Sequence, residues 1–108
     1  MARGMGNMGN MQGMMQKIQK MQKEMTKEQK NIEETIFEKS DANSLLTIKM
    51  NGKKEVTDLA ISSDLIDPDD PEMLQDLLIV TLNELMNEID ETTEARLGKY
   101  TKGMNLPF

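Results

Sequence analysis

The stretch "SLLTIKMNGKKEVTDLAI", residues 44–61, decides how this chain folds. Its first half alternates: Leu46, Ile48 and Met50 fall on one side of an extended strand, and Leu45, Thr47 and Lys49 on the other. Asn51-Gly52 then supplies a hairpin signal of the type I′ kind. The second half, Glu55–Ile61, returns as the next strand, with Leu59 and Ile61 as expected core members and Val56 near the start. A shorter β-prone stretch, "TIFEK" (Thr35–Lys39), precedes it across the turn "SDAN" (Ser40–Asn43). The spacing therefore predicts three antiparallel strands in sequence order.

The flanks read as helices. Apolar residues at Met11, Met14, Met15, Ile18, Met21, Met25, Ile32 and Ile36 recur in steps of three, four and seven, which is one stripe of an α-helix. At about 100° per residue, Lys17, Lys20, Lys23, Lys27 and Lys30 land on roughly the opposite side. Methionine, glutamine, lysine and glutamate all favour helix, so a long amphipathic helix is expected over about Met11–Glu34. The glycine- and asparagine-rich "MARGMGNMGN" before it is expected to form a flexible tip over residues 1–10. Downstream, "SSDLIDPDDPEML" (Ser62–Leu74) closes the sheet and opens a second helix. Asp70 suits an N-cap, Pro71 the first helical position, and Asp69 and Glu72 the positive end of the helix dipole. That helix is predicted to run to about Leu97, with Gly98 as its left-handed stop. Leu74, Leu77, Leu78, Leu82, Leu85 and Ile89 form its main stripe, widened by Ile79 and Met86. Residues 11–98 thus make a single α+β domain of α-β-β-β-α order, and residues 99–108 an irregular tail.

Composition narrows the chemistry. The chain has 108 residues, a net charge of −6, 12 methionines, and neither cysteine nor histidine. Disulfide and thiolate chemistry are excluded, and the usual general base and commonest transition-metal ligand are missing. No catalytic residues, cofactor or metal site are expected. The methionine run could offer thioethers to Cu(I), but without cysteine or histidine and at helical spacing it reads as an apolar seam. The acids of "DLIDPDDPE" (Asp64–Glu72) lack the EF-hand pattern. "GMGNMGNMQG" (Gly4–Gly13) is no phosphate loop, since neither a preceding strand nor a Gly-Lys-Ser/Thr accompanies it. No apolar run approaches the ~18 residues of a membrane helix, and no aliphatic segment follows Arg3 as in a signal peptide. A cytoplasmic protein without membrane partners is expected.

Charge is polarised rather than uniform. Met1–Lys30 carries Arg3 and five lysines against Glu24 and Glu28, a balance of six minus two, or +4. Arg96, Lys99 and Lys102 make the last stretch mildly basic, and the acids crowd between Glu33 and Glu94. Lysines on one helix face can neutralise phosphates without reading bases. The candidate DNA contacts are therefore Arg3, Lys17, Lys20, Lys23, Lys27, Lys30, Arg96, Lys99 and Lys102. The bland alternative is a solvated helix face. No base-reading motif is visible, and Phe37, Tyr100 and Phe108 are too few aromatics for a single-strand stacking platform.

Two helices of about 25 residues span nearly 40 Å, whereas six-residue strands span ~20 Å. The sheet cannot shield both helices along their length, so a two-fold homodimer is expected. Its candidate interface residues are Met14, Ile18, Met21, Met25, Leu46, Ile48, Leu78, Leu82 and Leu85.

Three stretches make the chain similar to the YbaB/EbfC family of bacterial nucleoid-associated proteins: "GMGNMGNMQGMMQKIQKMQKEM" (Gly4–Met25), "NGKKEVTDLAISSDLIDPDDPEMLQDLLIVTLNE" (Asn51–Glu84) and "GMNLPF" (Gly103–Phe108). Order and spacing match over nearly the whole length. The resemblance implies a small cytoplasmic homodimer of tweezer-like outline, located at the nucleoid. It would bind duplex DNA, change its conformation, and contribute to nucleoid organisation and gene regulation. The family has no sharp contact motif to carry over, so the DNA contacts above rest on charge alone. Where many relatives have a glycine-rich turn before the second strand, this chain has Ser40, Asp41, Ala42 and Asn43. The sequence leaves two alternatives open: an adaptor that uses the methionine seam on partner helices without touching DNA, and a replication or recombination protein as a further partner.

Overall fold

A computed structural model describes the backbone of residues 2–104 and the side chains of residues 11–100. Its elements are α1 (Ala2–Glu34), β1 (Phe37–Ser40), β2 (Leu46–Met50), β3 (Val56–Ile61), a 3₁₀ turn (Ser63–Leu65) and α2 (Pro71–Met104). The sheet is antiparallel in the order β1-β2-β3. This is the expected α+β, α-β-β-β-α architecture. The ends differ from expectation. Helix α1 begins at Ala2 rather than Met11. Helix α2 passes through Gly98 to Met104, so Gly98 is no stop and residues 99–104 are helical rather than irregular. One glycine costs a helix about 1 kcal/mol, which the good helix formers around it outweigh.

β2 is the spine of the core. Leu46, Ile48 and Met50 are at most 2% exposed, and they pack with Leu85 and Ile89 of α2 and Leu65 of the 3₁₀ turn. Leu74, Leu77, Leu78, Leu82 and Met86 pack around them, which is the α2 stripe read from the sequence. α2 lies over β1 and β2. It leaves β3 largely uncovered, and this overturns two expectations. Leu59 and Val56 are 47% and 53% exposed rather than core, and Ile79, expected to widen the stripe, is 58% exposed.

Both hairpins use one device. Asp41 and Asn51 each open a turn whose fourth residue donates its N–H back to their carbonyl: Ser44 to Asp41 at 3.1 Å, Lys54 to Asn51 at 3.0 Å. That fourth residue takes the left-handed conformation, with φ of 58° at Ser44 and 65° at Lys54. The turn-opening side chain then holds the strand. Asp41 Oδ1 accepts from Leu46 N–H at 2.8 Å, and Asn51 Oδ1 accepts from Lys53 and Glu55 N–H at 2.9 and 3.1 Å. The loop without glycine before β2 is thus closed by the Asp41 carboxylate. The second turn is not type I′, because Asn51 and Gly52 do not have positive φ. An irregularity at Lys49/Met50, where Met50 faces Val56 and Lys49 faces Asp58, completes it as a bulge.

Gly52 serves a different purpose. A Cβ there would lie 2.0 Å from the Ile32 carbonyl oxygen and 2.9 Å from Glu33 Cα. The hairpin tip thus abuts the last turn of α1, with Gly52 N–H donating to Glu33 O at 3.3 Å. Ile32, 2% exposed, is buried at this joint. From there α1 leaves the sheet and runs beside the C-terminal half of α2. The molecule is a rod, 84 × 21 × 17 Å.

Candidate functional site

The basic arm follows from this joint. Because Ile32 and Gly52 fix the end of α1, the rest of the helix projects from the sheet in a set direction. Only Met21, Met25 and Glu28 are half-buried along it, four and three residues apart, and these face α2. Glu28 pairs with Arg96 across the two helices. Counted from that pair at 1.5 Å per residue, α2 continues ~12 Å to Met104, whereas α1 continues ~26 Å back to Met11. Residues 11–20 therefore extend past the last described turn of α2, and every one of them is exposed.

On this arm Lys17, Lys20, Lys23, Lys27 and Lys30 are all exposed. None of them enters an ion pair among the described residues. Three other cations are engaged. Lys39 binds Glu88 at 2.8 Å, which raises its pKa through that hydrogen bond first and the Glu88 charge second, with a weaker pull from Glu84. Lys54 binds Asp90 at 2.6 Å. Arg96, a candidate DNA contact, is tied to Glu28 and half-buried between the helices. Lys99 is exposed, its Nζ 5.2 Å from the Tyr100 ring centroid. The side chains of Arg3 and Lys102 lie outside the described residues.

The expected dimer residues also divide. Leu46, Ile48 and Leu85 have no exposed surface in the single chain, so they serve its own core and cannot touch a partner. Leu78 and Leu82 pack against that core and keep part of their surface. Met14 and Ile18 are 62% and 39% exposed on the arm, while Met21 and Met25 are half-buried against α2. The sequence reading missed a different apolar surface. Val56 and Leu59 pair with Met50 and Ile48 and so share the sheet's helix-facing side. Beside them runs the unpaired edge of β3. The signal was present as a third strand at the end of the sheet, but nothing in the sequence told which edge α2 would leave bare.

No cluster of acids among the described residues could hold a metal ion. No described helix is long and apolar enough to cross a membrane.

Comparison with known proteins agrees with this geometry. Residues 8–104 match the profile of the YbaB/EbfC DNA-binding family. A nucleoid-associated protein of Enterococcus faecalis is 50% identical over 104 residues, covering 96% of this chain and 97% of that protein. One from Oceanobacillus iheyensis is 46% identical over 83 residues, 77% of this chain and 80% of the relative. Among solved structures, an uncharacterized protein of Helicobacter pylori superimposes with a TM-score of 0.62 at 24% identity, covering 72% of this chain and 82% of that one, which is a likeness of fold.

Proposed function

The chain belongs to the YbaB/EbfC DNA-binding family, and from that premise we propose that its α1 arms grip duplex DNA as an electrostatic clamp within the nucleoid of the cytoplasm. The observation that carries this reading is the row of five exposed lysines, without ion pairs among the described residues, on a helix whose residues 11–20 extend past the last described turn of α2. Ammonium groups so placed meet phosphates and release counterions, which gives affinity without base recognition. Weak sequence preference and bending of the duplex between two arms follow from that geometry.

Two arms require two copies. The surface that best supports a homodimer is the free edge of β3. Joining two such edges continues the sheet and pairs backbone groups that otherwise face water. It also lets the bare Val56 and Leu59 of each protomer be covered. The two-fold arrangement is self-complementary, as a cyclic dimer requires.

The test is a salt-titrated gel shift on a random-sequence duplex. The five phosphate contacts of each arm weaken binding by about 500-fold per arm between about 50 and about 200 mM salt, since the logarithm of affinity falls by roughly 0.9 per contact for each tenfold rise in salt. Replacing Lys17, Lys20, Lys23, Lys27 and Lys30 with alanine should flatten that slope and abolish retardation. Retention that is unchanged in this variant rejects the clamp. An adaptor that uses the exposed methionines shows no retardation at any salt.

A further inference from the structure

Thioether sulfur is spread unevenly along the arm. Met11, Met14 and Met15 are 58–62% exposed, in a stretch where every residue from 11 to 20 is exposed. At i, i+3 and i+4 these three share one side of α1, so their sulfurs stand open to solvent together. Met21 and Met25, further along the same helix, are half-buried against α2, and Met50 in β2 is only 2% exposed. Access to sulfur therefore falls from the tip of the arm to the core.

The same stretch is the part of α1 that depends most on its own residues. The described turns of α2 end short of it, and a Cβ added at Gly13 would meet nothing within 4 Å. A helix without packing is marginal in water, and Gly13 is itself a poor helix former. The helical preference here comes from Met11, Gln12, Met14, Met15 and Gln16. Methionine serves well because its side chain is unbranched and carries no strong hydrogen-bonding group to compete with the backbone. Oxidation removes that advantage. The sulfur lone pair attacks one oxygen of a hydroperoxide, and an S–O bond forms as the O–O bond breaks. Sulfur loses two electrons and the peroxide gains them. The hydrogen on the transferred oxygen passes to the leaving oxygen, which departs as water or as an alcohol. The sulfoxide that results is polar, and its oxygen competes for nearby backbone N–H groups as asparagine and aspartate side chains do.

We propose that Met11, Met14 and Met15 form a modification site for hydroperoxides, and that their conversion to sulfoxides unwinds the tip of α1 and takes Lys17 and Lys20 off the duplex. Lys23, Lys27 and Lys30 lie in the stretch that Met21, Met25 and Ile32 hold against the body, so they keep their place. The change is reversible, because methionine sulfoxide is reduced enzymatically. Met73, 46% exposed on α2, oxidises without the same effect, since Leu74, Leu77 and Leu78 pack that part of the helix against the core. The site rests on exposure and helix chemistry; only its consequence for DNA rests on the clamp.

The full chain is treated with hydrogen peroxide, mapped by peptide mass spectrometry and followed by circular dichroism in the absence of DNA. Met11, Met14 and Met15 should gain oxygen well before Met50. Helical ellipticity should fall by at least about one-seventh, the share of residues 11–20 in helices of 33 and 34 residues, and a methionine sulfoxide reductase should restore it. In a triple variant, Met11→Leu, Met14→Leu and Met15→Leu, the residues stay good helix formers, and the treated protein should keep that helix. Sulfoxides at the three positions without loss of helix overturn the proposal. So does a leucine variant that unwinds as the native chain does, or a tip that oxidises no faster than Met50. In the gel shift, the oxidised native chain should weaken by about 40-fold per arm between about 50 and about 200 mM salt instead of about 500-fold, as three contacts replace five. Unwinding with an unchanged salt dependence overturns the release of Lys17 and Lys20, and with it their place in the clamp, while the modification site stands.

Discussion

Replacing Gly52 with alanine tests whether the joint between hairpin and arm is built as described. The new methyl would sit 2.0 Å from the Ile32 carbonyl oxygen and 2.5 Å from its carbon, where ordinary contacts begin at 3.4 Å. Both neighbours are backbone, so no side chain can swing aside. Hairpin and helix must part by more than 1 Å. That breaks the Gly52 N–H to Glu33 O bond, a loss of about 1 kcal/mol. It also opens the burial of Ile32, which contributes about 1.5–3 kcal/mol when complete. A total near 3 kcal/mol is expected. For a domain of this size, that lowers the melting temperature by about 10–20 °C. Thermal and urea unfolding, compared with the native chain at equal protein concentration, are the assays. Because the joint also aims the arm, gel-shift affinity should drop at temperatures where the variant is still folded. A loss below about 0.5 kcal/mol would refute the close approach, since no relaxation short of separation clears a 2.0 Å overlap.

Gly98 makes the opposite prediction, because an added Cβ there meets nothing within 4 Å and the residue lies inside α2; Gly98→Ala should stabilise the chain by up to about 1 kcal/mol in the same unfolding assay. The Asp41 carboxylate is held below its ordinary pKa chiefly by the Leu46 N–H, and also by the Asn43 N–H. A depressed carboxylate stabilises the fold above its unfolded pKa, and that contribution disappears as pH falls through the lower folded value. Asp41→Asn should therefore cost stability at neutral pH, and the gap from the native chain should narrow below the ordinary carboxylate value of 3.8 in pH-resolved urea titrations. Leu59→Lys places a charge beside the free edge of β3 without touching the core, and light scattering should show the dimer shifting to monomer; an unchanged dimer would move the interface elsewhere.

Local pattern was enough to set the elements and which side of each is greasy. Alternation at Leu46, Ile48 and Met50 fixed the inner side of β2, and the leucine stripe from Leu74 to Ile89 fixed the inner side of α2. Periodicity is a local property, written into 2.0- and 3.6-residue repeats, so it survives without a partner in view. The lysine row was legible for the same reason. What covers what emerged only from the packing of distant elements. α2 settles over β1 and β2, so Leu59 and Val56 stay bare although their cross-strand partners Ile48 and Met50 are core. Leu46, Ile48 and Leu85 are enclosed within one chain and leave no surface for a second. Arg96 meets Glu28 across 68 residues of sequence, a pairing that neither helix's own pattern records. Gly52 is needed for the approach of a helix end distant in sequence, rather than for the backbone twist that Asn-Gly suggested. Each of these depends on how elements separated along the chain come to lie against one another, and a repeat within one element carries no record of its neighbour's position.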